Sequence, residues 1–174
     1  MSRILACALS ALLVSTAGAA AQSTEGRTAS ANMINTDEVS VGTVTFNETR
    51  SGMLHVIVEM TDLPAGPHGF HVHETGTCDP ADGFKSAGGH YAAGKDHGIA
   101  SESGPHPGDF PNVQVAANGV LVAEFFTDRL SIADGDNPLN DADGSAVVVH
   151  SGQDDYTSQP SGEAGERIAC GIVE

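Results

Sequence analysis

Apolar and polar residues alternate along five stretches of this chain: Val39 to Phe46, Leu54 to Met60, Gly119 to Thr127, Ser145 to His150 and Ile168 to Val173. Side chains two apart in a strand share a face, so this period predicts strands with one face in a core. No long stretch carries the 3.6-residue period of an amphipathic helix. Clusters of Gly, Pro, Asn and Asp separate the runs, with 21 Gly and eight Pro in all. That punctuation predicts an all-β sandwich or barrel with long loops.

Two of the intervening segments are long, running from about Glu74 to Pro111 and from about Ser151 to Glu166. Irregular segments of more than about 15 residues are usually functional or disordered. The first concentrates histidine and glycine, which disorder gives no reason to do, whereas a bound metal would replace a missing apolar core. Asn140-Asp-Ala-Asp-Gly144 has the look of a calcium loop but lacks the closing glutamate, and reads as a turn. Asn47-Glu-Thr49 fits a glycosylation acceptor, a pattern common by chance.

The N-terminus shows a basic residue, the apolar run Ile4 to Val14, then small residues up to Ala21. This is the layout of a cleaved secretory signal, and residues 1–21 are expected to be removed, Cys7 with them. The apolar run is shorter than the roughly 20 residues a membrane span needs. Residues 22–36, rich in Ser, Thr, Ala and Asn, are expected to be a flexible lead-in, and residues 37–174 one domain. Cys78 and Cys170 are the two cysteines left, and an even pair in an exported protein reads as a disulfide before it reads as two buried thiols.

Composition excludes some partners. The full chain carries a formal net charge of −16, with seven Lys plus Arg against 23 Asp plus Glu, and the leader would take away only one cation, Arg3. Nucleic acid and anionic membranes are poor partners for such a surface. The location expected is periplasmic or secreted.

Chemistry enters with histidine. His71 and His73 lie two apart on a predicted strand, so both imidazoles project from one face of a rigid platform. His90, His97, His106 and Asp109 follow in the first long loop, and His150 ends the apolar run Ala146 to Val149. Six of the eight histidines fall in this set. Nitrogen-rich ligation favours copper or zinc, and a carboxylate beside three histidines suits tetrahedral zinc. Seven ligands exceed the need of one ion; two ions sharing a bridging imidazolate would use all of them.

Taken together, Gly69-Phe-His-Val-His-Glu74, Ser86-Ala-Gly-Gly-His90, Lys95-Asp-His-Gly98, Gly104-Pro-His-Pro-Gly-Asp-Phe-Pro-Asn112, Asp143-Gly-Ser-Ala-Val-Val-Val-His150 and Gly165-Glu-Arg-Ile-Ala-Cys-Gly171 resemble the copper,zinc superoxide dismutases, motif by motif and in order, over nearly the whole mature chain. The Pro-Asn after Asp109 and the Asp-Asp-Tyr after His150 look most like the bacterial exported branch. The resemblance implies an eight-stranded antiparallel Greek-key β-barrel, sandwich-like, with two long functional loops. It implies copper at His71, His73, His90 and His150, and zinc at His90, His97, His106 and Asp109, with His90 as bridge and gated general acid. Asp154 would tie a copper histidine to a zinc histidine, Cys78 and Cys170 would form the family's disulfide, and Arg167 would stand at the channel mouth to attract superoxide. His68 matches a structural histidine. His55, Tyr91 and Phe70 read as packing, and Lys85 and Lys95 as solvated.

Glu163 and Glu166 flank Arg167 where that family more often has uncharged residues, so association with an anion is expected to be slower than the family norm and less enhanced at low salt. The rival readings are a non-enzymatic copper or zinc carrier on the same fold, and a dinuclear zinc hydrolase, which the shortage of site carboxylates disfavours. Nothing in the pattern decides between a monomer and a homodimer.

Overall fold

A computed structural model describes residues 26–174 of the chain. The leader, residues 1–21 with Cys7, lies outside the described residues. The strands are β1 Thr28–Asn35, β2 Ser40–Glu48, β3 Leu54–Met60, β4 Gly66–His68, β5 Phe70–His73, β6 Val113–Val115, β7 Leu121–Thr127, β8 Ala146–His150 and β9 Arg167–Ile172. Among the described residues there is no α-helix, only two single 3-10 turns, Pro80–Asp82 and Lys85–Ala87.

Seven strands form one strongly curled antiparallel sheet in the order β5, β8, β9, β1, β2, β3, β7. The β4–β6 pair forms a second, small sheet, with β4 leading into β5 and β6 lying against β7, so it stands between the two edges. The long connection from β7 to β8 carries the chain from one edge of the sheet to the strand beside the other, which is the Greek-key crossover. Counting β4 and β5 as halves of one run gives the eight strands expected. The run divides at Gly69, whose N–H donates to Gly152 O at 2.8 Å and whose carbonyl accepts from His150 N at 2.9 Å. A Cβ there would come within 2.9 Å of Ala164 Cβ and 3.1 Å of His71 Cε1, so only glycine lets the second loop approach this closely.

The expected strands are present, but one expectation needs correcting. Residues 28–35 do not belong to a flexible lead-in. They are β1, paired along its length with β2 and at Ile34 and Asn35 with β9. Ala29, Ala31 and Met33 are buried in the core while Thr28, Ser30 and Asn32 alternate with them on the more open face. The period of two is there, but alanine contributes so little hydrophobic contrast that the segment reads as polar.

The barrel interior is filled by Met33, Val44, Phe46, Val56, Val58, Phe70, Val72, Val147, Val149 and their neighbours, all buried. Phe70, Phe110 and Phe125 pack with ring centroids 5.5–5.8 Å apart. A second cluster, Phe84, Ala87, Ala146, Val148 and Cys170, seats the first long loop against the outside of β8 and β9. The Cys78–Cys170 disulfide joins the same loop to β9 across 92 residues. That loop is therefore held by apolar burial and a covalent bond at its start.

Met33→Ala tests the assignment of β1 to the core. Met33 is fully buried, so truncation should cost about 2–5 kcal/mol in denaturant unfolding. A change near zero would mean that this segment is not integral to the domain.

Candidate metal centre

Strand alternation sets the site. On β5, Phe70 and Val72 enter the barrel core, so His71 and His73 face outward toward the long loops. The first loop returns to this strand as an irregular edge: Tyr91 N donates to Val72 O at 2.8 Å, Val72 N to Gly108 O at 2.9 Å and Gly108 N to Tyr91 O at 3.1 Å. These bonds place His90 opposite His73 and Asp109 opposite His71. His150 arrives at the end of β8, where the register with β9 shifts.

The candidate ligands converge. Donor atoms of His71, His73, His90 and His150 lie within 4.8 Å of one another, as do those of His90, His97, His106 and Asp109, and all seven side chains are buried. The two groups share His90. The structure thus brings together every residue that the sequence singled out as a candidate ligand, with Asp154 beside them.

Protons sort the nitrogens. His71 donates from Nε2 to Asp154 Oδ2 at 2.8 Å, and its buried Nδ1 has no partner. His73 donates from Nδ1 to Gly88 O at 3.1 Å, and His150 from Nδ1 to Gly165 O at 3.2 Å, which leaves their two Nε2 atoms facing each other at 3.4 Å. His90 Nε2 is buried and unpartnered on this side. Four unprotonated nitrogens aimed at one point repel unless something electrophilic lies between them, so the set fits copper. On the other side Nδ1 of His90, His97 and His106 lie 3.1–3.2 Å from Asp109 Oδ1, and Asp109 Oδ2 accepts from Gly98 N and His106 N at 2.9 and 3.0 Å. Three imidazoles and one anchored carboxylate fit zinc.

Electrostatics agree. Burial pushes His73 well below its ordinary range, His90 down to about 4 and His150 down to about 3, with neighbouring imidazoles adding to the effect, so these three rings are neutral near pH 7. His97 behaves oppositely: burial works to lower it, but hydrogen bonds to Asp109 and Asp154 overcome that and raise it to about 9. Asp109 and Asp154 are held below the carboxylate range; burial opposes this, and the histidines hydrogen-bonded to each outweigh it. In the metal-free protein a proton on His97 balances charge that a cation would otherwise balance.

Asp154 spans the two groups, accepting from His71 Nε2 and, at 3.0 Å, from His97 Nε2. Gly162 makes room for it: its φ is +68°, and a Cβ there would run into Asp154 Oδ1. Two contacts to the site went unread in the sequence. The Asn112 side chain donates to Asp154 O and accepts from Asp154 N, both at 2.8 Å, tying the loops together. Arg129 donates from Nη2 to Asp109 O at 2.6 Å. Neither has a local pattern that could reveal it, because both act across long sequence separations.

Arg167 opens β9 and donates to Phe84 O at 2.5 Å and Gly88 O at 2.6 Å, so its guanidinium is fixed by backbone on the loop that carries His90. Burial lowers it from its ordinary value, opposed by Asp82. Among the described residues no acid, Glu163 and Glu166 included, lies within 4.0 Å of it. The two ring nitrogens of His68 face His150 O at 2.7 Å and Pro64 O at 2.8 Å, and His55 pairs with Glu124 at 2.7 Å and stacks on Phe126, both away from the ligand groups.

A Greek-key barrel bearing two buried donor groups joined by one histidine defines a dinuclear metalloprotein with a copper and a zinc position. Over residues 40–173 the chain matches the family described as copper/zinc superoxide dismutase. It is 40% identical over 147 residues to superoxide dismutase [Cu-Zn] 2 of Aquifex aeolicus, covering 83% of this chain and 85% of that one, and 42% identical over 142 residues to superoxide dismutase [Cu-Zn] of Caulobacter vibrioides, covering 79% and 80%. Among solved structures it is similar to a superoxide-dismutase-like protein from Bacillus subtilis (TM-score 0.77, 34% identity, 82% and 96% covered) and to the Cu/Zn superoxide dismutase of Brucella abortus (TM-score 0.68, 31% identity, 85% and 100% covered). The chain belongs to the copper/zinc superoxide dismutase family, and with both donor groups intact it is an enzyme of that type, with copper and zinc as cofactors.

The stability of the chelator-treated protein should trace these charges. The two lowered carboxylates contribute above about pH 4, and that contribution fades as acid protonates them; His97 contributes fully below about pH 6.5 and loses it as pH rises through about 9. Melting temperature of metal-free protein should therefore form a plateau near neutrality and fall on both sides. A steady rise from pH 7 to 10 would contradict the assignment of His97.

Proposed function

We propose that the chain disproportionates superoxide with the residue roles set out here: two superoxide anions and two protons become one oxygen and one hydrogen peroxide. His71, His73, His90 and His150 would hold copper, and His90, His97, His106 and Asp109 would hold zinc. When bound, copper supplies an electron carrier that cycles between two oxidation states, while zinc supplies a fixed charge. The observation that carries this reading is His90, whose two nitrogens face different donor groups and whose Nε2 has no protein partner.

The protein's own part is positioning and proton handling. Arg167, pinned by two carbonyls, offers a guanidinium in one orientation, so an incoming anion is drawn to one place. Fixed dipoles of this kind need no reorganisation during reaction. His90 Nε2, buried and without a protein partner, is the atom where a proton would be held and passed to the product. Asp109, holding the opposite nitrogen side, keeps the ring in place while that proton comes and goes. Asp154 fixes the tautomers of His71 and His97 at once.

The disulfide and the bacterial relatives fit a location outside the cytoplasm. The finer reading, periplasmic or released after cleavage behind Ala21, rests on the leader pattern alone, and a homodimer stays a proposal. No helix of the described residues is long and apolar enough to cross a membrane.

The deciding experiment is superoxide consumption by the mature protein reconstituted with copper and zinc, beside a His150→Ala variant with metal analysis of each. Consumption near the diffusional rate that needs both copper and His150 is expected; full copper occupancy without consumption would leave a metal carrier. Arg167→Gln should slow the reaction about 10-fold and flatten its salt dependence. Replacing Glu163 and Glu166 together by Gln should raise the rate at low ionic strength. An unchanged rate and slope would remove those acids from the account.

A further inference from the structure

Arg129 stands out among the basic residues of the described chain. It lies on the connection that follows β7, its guanidinium has no acid within 4.0 Å, and its Nε is buried without any partner. Arg129 is only partly buried, but a buried N–H left without an acceptor costs free energy that an aliphatic group there would not. Beside it is a cavity of about 180 Å³ whose other walls include Ile99, Pro105, Phe110, Pro111 and Tyr156, none of which gives Nε an acceptor there. The one side-chain hydrogen bond that Arg129 makes is from Nη2 to Asp109 O at 2.6 Å.

That single bond reaches a peptide of consequence. The Asp109 carbonyl belongs to the peptide whose N–H, on Phe110, donates to Phe70 O at 3.4 Å on β5. A donor on the carbonyl polarises the peptide and strengthens its N–H, so the Asp109–Phe110 peptide is held from both ends, by Arg129 and by β5. The Arg129 backbone is itself braced: its N–H donates to Thr127 Oγ1 at 3.1 Å, and its carbonyl accepts from Asn137 Nδ2 at 2.9 Å. The strut thus starts from the end of β7 and ends on a candidate zinc ligand.

We propose that Arg129 is a positioning residue for the zinc group: it fixes the Asp109 main chain from behind, so that the carboxylate stands ready between His90, His97 and His106 and a bound zinc ion is released slowly. The inference rests on the assignment of the His90, His97, His106 and Asp109 group to zinc. Its mark is an effect centred on that group, because none of Arg129's hydrogen bonds reaches a copper-side residue.

The test uses Arg129→Met and Arg129→Lys in the full mature protein, loaded with copper and with cobalt(II) or zinc at the second group. Zinc release to a chromogenic chelator should accelerate about 10-fold or more in Arg129→Met, by analogy with other outer partners of metal ligands. The visible bands of cobalt(II) should shift, the copper spectrum should stay as it was, and Arg129→Lys should restore most of the release rate. Unchanged zinc release and cobalt bands would overturn the proposal. So would slower release, which would show that the charge opposes the metal more than the contact helps it. A loss of melting temperature of the same size in metal-free and zinc-loaded protein, with unchanged cobalt bands, would also overturn it, leaving an ordinary packing role. Should Arg129→Met fail to fold, Arg129→Gln, compared with Arg129→Lys, gives the same contrast. If no zinc or cobalt binds even the parent protein at this group, the zinc assignment itself fails instead.

Discussion

Six imidazoles and two carboxylates are kept out of water within a few ångströms of one another, and the rest of the molecule is arranged around making that arrangement tolerable. Each ring on the copper side other than His90 has one nitrogen committed to a protein acceptor: Asp154 for His71, Gly88 O for His73 and Gly165 O for His150. What remains is a set of converging lone pairs that suits a cation. The barrel supplies the rigid strands that hold His71, His73 and His150, and the loops supply the acceptors. Removing an acceptor would not delete a ligand but would let its ring turn.

The requirement explains features that look unrelated when taken singly. Gly69 interrupts a strand so that the second loop can lie against it, and Gly162 gives up its side chain so that Asp154 can reach two histidines. The second apolar cluster and the Cys78–Cys170 bond hold the first loop to β8 and β9 before the chain reaches His90. A charged centre is thus built beside an intact apolar core. The metal-free protein meets part of the need by protonating His97, which lies between Asp109 and Asp154.

The ligands were legible in the sequence because their chemistry is local in pattern: a His-x-His on an alternating strand, and histidines spaced among glycines in one loop. The five strands read from alternation are all present. β1 was not legible, since Ala29 and Ala31 bury too little apolar surface to raise the alternation above its polar surroundings. Asn112 and Arg129 were silent for another reason. Each works through a backbone contact 42 or 20 residues away, and such a contact leaves no periodicity to detect. The acids beside Arg167 were legible as charges, but only the fold shows that neither touches the guanidinium.

The carbonyl of Gly88 accepts two bonds, one from His73 Nδ1 and one from Arg167 Nη2. A ring that helps form the reaction centre and the cation proposed to greet the reactant are therefore hinged on the same oxygen atom. The carbonyl belongs to the residue that closes the turn Lys85–Ala87, so the seating of that turn sets both at once. A substitution that displaced this one oxygen would therefore disturb the ring and the guanidinium together, although neither residue had been touched.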